Sequence, residues 1–98
     1  MSAGGAALSA DSVVVVSDRQ TSTTLEGETV VLDVQDGVYY GLDAVGARVW
    51  SLIQQPTPVR QICAEIVREY DVAEERCLED VLALLRRLAD ARLVEIAP

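Results

Sequence analysis

Few side chains in this sequence could do covalent or acid–base chemistry. The chain has two cysteines, Cys63 and Cys77, and no histidine. Without histidine, Ser–His and Cys–His nucleophilic pairs and histidine-ligated metals are impossible. The 13 residues between the two cysteines do not match the ligand spacing of a zinc site. We therefore expect no cofactor, no metal and no catalysis, and we interpret both thiols as reduced core residues.

The charged residues indicate which partners the chain binds. The 98 residues include 16 acidic and 8 basic side chains, giving a net charge of −8, and every basic residue is arginine. Such a surface repels the phosphates of nucleic acids and of anionic membranes. No apolar run approaches the roughly 20 residues of a membrane span, and the N-terminus lacks a signal-peptide pattern. We expect a cytoplasmic protein that binds neither nucleic acid nor membrane.

The elements that must position any binding residues are organised around Asp36–Trp50. Asp36 and Gly37 predict a tight hairpin turn. The following residues, Val38–Leu42, are β-branched or aromatic and predict a short strand. Asp43 is a typical helix N-cap, and Gly46 inside the helix that follows suggests a close approach of that helix to the sheet.

A small antiparallel sheet is predicted for the N-terminal half, with three strands at Val13–Val16, Glu28–Gln35 and Val38–Leu42. A further short strand near Thr23–Glu26 is an open alternative. Residues 1–12 are small and polar and predict a disordered tail, so the folded domain is expected at residues 13–98. The last predicted strand follows a hairpin and leads straight into a helix, which makes it a natural edge strand.

The alternation of side chains along the two hairpin strands predicts which face of the sheet is buried. Tyr39 and Gly41 are expected to face outward. The residues expected to face the core are Val30, Leu32 and Val34 on the first strand, and Val38, Tyr40 and Leu42 on the second.

Three helices are predicted for the C-terminal half, at about residues 44–54, 58–70 and 73–91, followed by a short apolar tail that suggests one more strand. The third helix carries two apolar stripes, which cover more than half of its circumference. These stripes are Cys77, Val81, Leu84, Leu88 and Ala91, and Leu78, Leu82, Leu85 and Ala89. Either the helix is central in the core, or part of one stripe lines a groove for a partner.

The ordered set of these segments resembles the PqqD-like family over roughly residues 12–96. The segments are Tyr40-Gly41-Leu42-Asp43, the G-x-x-V-W run Gly46–Trp50, Glu69-Tyr70-Asp71, and the E-D-V-x-x-L-L-x-x-L run Glu79–Leu88. The resemblance implies an α+β, winged-helix-like fold of a three-stranded antiparallel sheet followed by three helices. It also implies a peptide-recognition element for ribosomally made, post-translationally modified peptides. The Tyr-Tyr-Gly-Leu-Asp form is most similar to the stand-alone recognition subunit of lasso-peptide systems.

The resemblance implies a mechanism in which the leader segment of a precursor peptide adds as a strand to Val38–Leu42. Alternate leader side chains would enter a groove between that strand and the third helix. The implied partners are the leader peptide and a separate leader peptidase or another modifying enzyme. The peptide-binding residues predicted on this basis are Val38, Tyr39, Tyr40, Gly41, Leu42, Cys77, Asp80, Val81, Leu84 and Arg87.

Two other functions fit the same elements. A winged-helix DNA-binding regulator also combines a hairpin with three helices, but the third helix begins Glu-Arg-Cys-Leu-Glu-Asp-Val and is not a basic recognition helix. A small dimerisation domain would instead pair its edge strand, or the second stripe of its third helix, with another copy of the chain.

Overall fold

The computed structural model describes residues 8–18, 20–25 and 28–97. Their elements are β1 (Val13–Val16), β2 (Gln20–Leu25), β3 (Glu28–Asp33), β4 (Val38–Leu42), α1 (Ala44–Leu52), β5 (Thr57–Pro58), α2 (Val59–Glu69), α3 (Glu74–Asp90) and β6 (Val94–Ile96). The expected α+β class, with a three-stranded antiparallel sheet and three helices, is confirmed.

The strands form two antiparallel sheets, in the orders β2-β3-β4 and β5-β1-β6. The prediction that β1 belongs to the hairpin sheet is therefore wrong. Instead, Val14 pairs with Thr57 of β5 on one side and with Ile96 of β6 on the other. The third strand of the hairpin sheet is β2, which includes part of the alternative strand near Thr23–Glu26. The pairings of β1 join segments far apart in sequence, so local patterns could not reveal them.

The segment before β1 packs against the domain from residue 8 onward. Leu8 is only 7% exposed and lies in the core. The carbonyl oxygens of Ala10 and Ser12 accept hydrogen bonds from the backbone of Arg60 and Val59, at 3.0 and 2.8 Å. The prediction of a disordered tail is thus wrong for residues 8–12, while residues 1–7 lie outside the described residues.

The buried face of β3 is the opposite of the one predicted. Val31 is fully buried and Asp33 is 1% exposed, whereas Val34 is 54% exposed. Asp33 is tolerated inside because its Oδ1 accepts hydrogen bonds from the backbone N–H groups of Gln35 and Asp36, at 3.1 and 3.3 Å. Its own carbonyl accepts from Gly37, which has a φ of +72°. The turn therefore determines which face of β3 is buried, because its backbone N–H groups donate hydrogen bonds to the buried Asp33 carboxylate.

The predicted faces of β4 are confirmed at four of its five positions. Leu42 is buried and Tyr40 is half-buried against the core, while Tyr39 and Gly41 are exposed. Val38, expected to face the core, is 44% exposed because it lies at the end of the sheet beside the turn.

An Asp33→Ala variant is expected to lose about 1–3 kcal/mol of unfolding free energy, because it leaves turn amides without their acceptor. Urea unfolding followed by circular dichroism measures this loss. Asp36→Ala is the matched control, since Asp36 lies in the same turn but is exposed. Equal stability of the two variants would contradict the assignment of Asp33 as the residue that holds the turn.

The core lies between the two sheets and the three helices, and it includes Val14 of β1 and Val94 of β6. Its fully buried side chains include Val49 and Ile53 after β4, Ile62 and Ile66 of α2, and Leu85 of α3. The buried side of α3 combines residues of both predicted stripes, since Cys77, Val81, Leu85 and Leu88 are buried, while Leu82 and Leu84 are half-buried on opposite sides of them. No helix among the described residues is long and apolar enough to cross a membrane.

Candidate peptide-binding groove

The strand β4 lies at the edge of its sheet, with β3 on one side and no other described strand on the opposite side. An edge strand presents unpaired backbone N–H and C=O groups, which are a template for a further strand. The expectation that Val38–Leu42 is an edge strand is therefore confirmed.

A groove with a volume of about 360 Å³ runs beside this edge. We call it the β4–α3 groove, after the elements that form two of its walls. Its lining residues are Gly41, Leu42, Asp43, Val45, Gly46, Val49, Ile66, Tyr70, Val72, Cys77, Asp80, Val81, Leu84 and Arg87.

The wall from α3 is made by one face of that helix. Cys77, Val81 and Leu84 follow each other at intervals of four and three residues, so they lie on one side of the helix. Cys77 and Val81 are each only 2% exposed, and Leu84 is half-buried. The first two side chains therefore belong to both the core and the groove floor, whereas Leu84 is accessible to a ligand.

The β4 wall meets α1 at a tight strand-to-helix junction. Asp43 caps α1, its Oδ1 accepting a hydrogen bond of 2.8 Å from the backbone N–H of Gly46. A Cβ atom on Gly46 would lie 3.3 Å from that Oδ1 and 3.4 Å from the Cβ of Leu42. The absence of a side chain at Gly46 lets the helix start close against the strand, as the sequence suggests.

An ion pair between α1 and α2 holds the position of these walls. Arg48 and Glu69 form a two-pronged contact, with Nε–Oε1 and Nη2–Oε2 distances of 2.9 Å each. The hydrogen bond from Arg48 lowers the pKa of the Glu69 carboxyl, so the pair is fully charged at neutral pH. Both side chains are about one-third exposed, so the pair contributes little to the free energy of unfolding. It mainly fixes the position of α1 relative to α2.

Two charged side chains at the groove rim, Asp80 and Arg87, differ in whether they are already part of an ion pair. Asp80 forms an ion pair with Arg76 one turn earlier on α3, with an N–O distance of 3.3 Å. Arg87, which is exposed, forms no ion pair with any residue that the structure describes. The groove thus offers one uncompensated cation beside an apolar floor.

The two thiols near the groove are poor nucleophiles. Burial raises the pKa of the Cys63 thiol to about 11, with the neighbouring Cys77 contributing. Burial also raises the pKa of Cys77. Both groups are free thiols and remain protonated at neutral pH. No cluster of three or more potential metal ligands occurs in the part of the chain that is described.

Of the ten predicted site residues, the structure brings seven together in the β4–α3 groove: Gly41, Leu42, Cys77, Asp80, Val81, Leu84 and Arg87. Val38, Tyr39 and Tyr40 lie on β4 but do not line the groove. Their backbone N–H and C=O groups are part of the edge strand β4.

Sequence reasoning missed the third wall, which is formed by α1, by the end of α2 and by the segment that follows α2. It comprises Asp43, Val45, Gly46, Val49, Ile66, Tyr70 and Val72. The sequence signals for this wall are Gly46 and the helix end at Tyr70-Asp71, which predict local structure but do not indicate a groove.

Comparisons with known proteins agree with this architecture. The family model for coenzyme PQQ synthesis protein D (PqqD) matches residues 28–94, which is more than half of the chain. A solved structure described as TbiB1 in complex with the TbiA(beta) leader peptide is 38% identical in sequence, with a TM-score of 0.76. The match covers 83% of this chain and 94% of TbiB1. No curated protein matches the sequence significantly. The chain belongs to the PqqD family.

Proposed function

We propose that this protein is a non-catalytic recognition subunit that binds the leader segment of a ribosomally made precursor peptide. The leader adds as a strand to the free edge of β4 and inserts alternate side chains into the β4–α3 groove. The observation that carries this proposal is the open edge of β4 directly beside an apolar groove of about 360 Å³. The leader peptide bound to the similar TbiB1 supports it.

The roles of the ten site residues follow from their positions. The backbone of Val38–Leu42 supplies hydrogen bonds to the leader, which give affinity without sequence information. Cys77, Val81 and Leu84 contact apolar anchors of the leader, each contributing about 1.5–3 kcal/mol when fully buried. Arg87 binds a leader carboxylate at the rim. Asp80 also lines the groove and contacts the leader beside its ion pair with Arg76.

The proposed pathway role is presentation of the bound leader to a separate leader peptidase, as in lasso-peptide systems. A chain that holds its thiols protonated and has no histidine lacks the Ser–His and Cys–His pairs by which many peptidases cleave peptides. We therefore assign cleavage of the bound peptide to a separate enzyme. The subunit acts in the cytoplasm, where the precursor is synthesised.

The DNA-binding alternative gains no support from the fold. The first turns of α3, which would enter a DNA groove in a winged-helix regulator, expose Glu74, Glu75, Glu79 and Asp80. Phosphates would be repelled by this acidic surface.

Isothermal titration calorimetry with the leader peptide of the precursor encoded beside this gene tests the proposal. Two or three apolar anchors predict a Kd of about 1 μM or tighter. A scrambled leader of the same composition is the control. Moderate weakening by salt is expected from the Arg87 contact. If the folded protein does not bind the leader at about 1 mM, the proposed function is wrong.

A further inference from the structure

The two cysteines meet where α2 packs against α3. Cys63 belongs to α2 and Cys77 to α3, and the Cys77 Sγ lies 3.9 Å from the carbonyl oxygen of Cys63. Burial raises the pKa of both thiols, and a hydrogen bond between the two side chains also acts on both, raising the pKa of Cys63 and lowering that of Cys77. The two sulfur atoms are therefore neighbours across the contact between the helices.

The two thiols face different cavities. Cys77 is 2% exposed and lies in the floor of the β4–α3 groove. Cys63 is half-buried and lines a second pocket of about 470 Å³, which we call the α2–α3 pocket. The apolar residues around Cys63 in that pocket are Ala64 and Val67 of α2 and Leu78 of α3. A small reagent in the α2–α3 pocket thus reaches Cys63 without entering the leader groove, and Cys77 links Cys63 to the groove floor.

We propose that Cys63 and Cys77 form a reversible disulfide that weakens leader binding, so that the β4–α3 groove responds to oxidants. The oxidant is a low-molecular-weight disulfide that enters the α2–α3 pocket. This inference rests on the proposed function, because it concerns the affinity of the groove for the leader.

The disulfide forms by two thiol–disulfide exchange steps. The Cys63 thiol loses its proton and attacks one sulfur of the reagent, which gives a mixed disulfide and releases the other half of the reagent as a thiol. The Cys77 thiol then loses its proton, attacks the Cys63 sulfur and releases the second half. The protein gives up two electrons and two protons, and these reduce one reagent disulfide to two thiols.

Forming this disulfide changes the groove floor. Bonded sulfur atoms lie closer together than hydrogen-bonded ones, so the Cys77 side chain turns towards α2 and away from the leader. A gap under a leader anchor removes dispersion contacts, and the close packing of the neighbouring Val81 limits how far the floor can refill it. We expect the oxidised protein to bind leader at least about fivefold more weakly than the reduced protein. By linkage, bound leader should oppose oxidation by the same factor.

Glutathione disulfide, incubated with the full chain and then removed, tests the proposal. Alkylation followed by mass spectrometry should show a monomer in which neither cysteine is alkylated or joined to glutathione. Calorimetry should show the fivefold loss of leader affinity, and dithiothreitol should restore it. Because the pKa of the Cys63 thiol is about 11, oxidation should accelerate about 100-fold over the two pH units above neutrality.

Cys63→Ala is the matched control, since Cys63 does not line the β4–α3 groove. The variant should bind leader within about twofold of wild type, and its leader affinity should not change after treatment with glutathione disulfide. Cys63→Ser, with circular dichroism to confirm folding, repeats the control with a side chain closer in size to cysteine.

Three outcomes overturn the inference. The treated protein could contain no disulfide between its two cysteines, it could be linked to a second copy through Cys63, or the internal disulfide could leave leader affinity unchanged. Failure of the proposed function is distinguished from all three, because the reduced wild-type protein would then not bind leader, whereas disulfide formation is measured without leader.

Discussion

Leader affinity is expected to fall by at least about 100-fold in a Leu84→Asp variant that remains folded. Leu84 is half-buried on the groove side of α3, so its replacement is solvated in the free protein. Docking a leader anchor against an aspartate buries a carboxylate without a partner, which costs several kcal/mol, and each 1.4 kcal/mol is a factor of ten. Calorimetry with the leader peptide measures the loss, and thermal melting confirms the fold.

Leu82→Asp is the matched control for this variant. Leu82 lies on the same helix and is half-buried, but it does not line the groove. We expect it to reduce the melting temperature without changing leader affinity.

Val81 is 2% exposed and also lines the groove, so a Val81→Ala variant should lose both stability and leader affinity. A folded Leu84→Asp protein with unchanged leader affinity would falsify the location of the groove on this face of α3.

Leader binding is expected to be abolished by Gly41→Pro, the second large effect. Proline removes a backbone N–H from the edge strand and fixes φ near −65°, which is incompatible with a regular added strand. The protein should retain its helical circular dichroism, because the change lies at an exposed position of an edge strand.

Gly41→Ala separates the backbone effect from any effect of a side chain. An alanine Cβ at this position meets nothing within 4 Å, so the variant should fold and bind leader within a few-fold of wild type. Wild-type affinity in Gly41→Pro, or an equal loss in both variants, would count against strand addition to β4.

The local chemistry of the sequence determined where the three helices and the strands β1, β3 and β4 form, and which chemistry is missing. The periodicity of α2 and α3, the cap at Asp43 and the hairpin signal at Asp36 and Gly37 act over a few residues, so they can be identified without the fold. The absence of histidine excludes a Ser–His or Cys–His enzyme by composition alone. The face of α3 that carries Cys77, Val81 and Leu84 follows from helical spacing as well.

Only the tertiary structure decided which strands pair and which side of β3 is buried. Alternation defines two faces but does not choose between them, and a hydrophobic count favours the face of Val30, Leu32 and Val34. The chain buries Asp33 instead, because the turn amides of Gln35 and Asp36 satisfy its carboxylate. That choice depends on the backbone geometry of the turn and is invisible in the order of apolar and polar residues.

The partners of β1 and the full lining of the groove were likewise set by contacts distant in sequence. Val14 pairs with Thr57 and Ile96, and the groove unites β4, α1, the end of α2 and α3. Residue types indicate how apolar each segment is, but the packing of all segments together determines where each one is buried. For this protein the sequence determined the helices, the hairpin strands and the apolar stripe on α3. The packing of α1 and α2 against them made that stripe one wall of a groove.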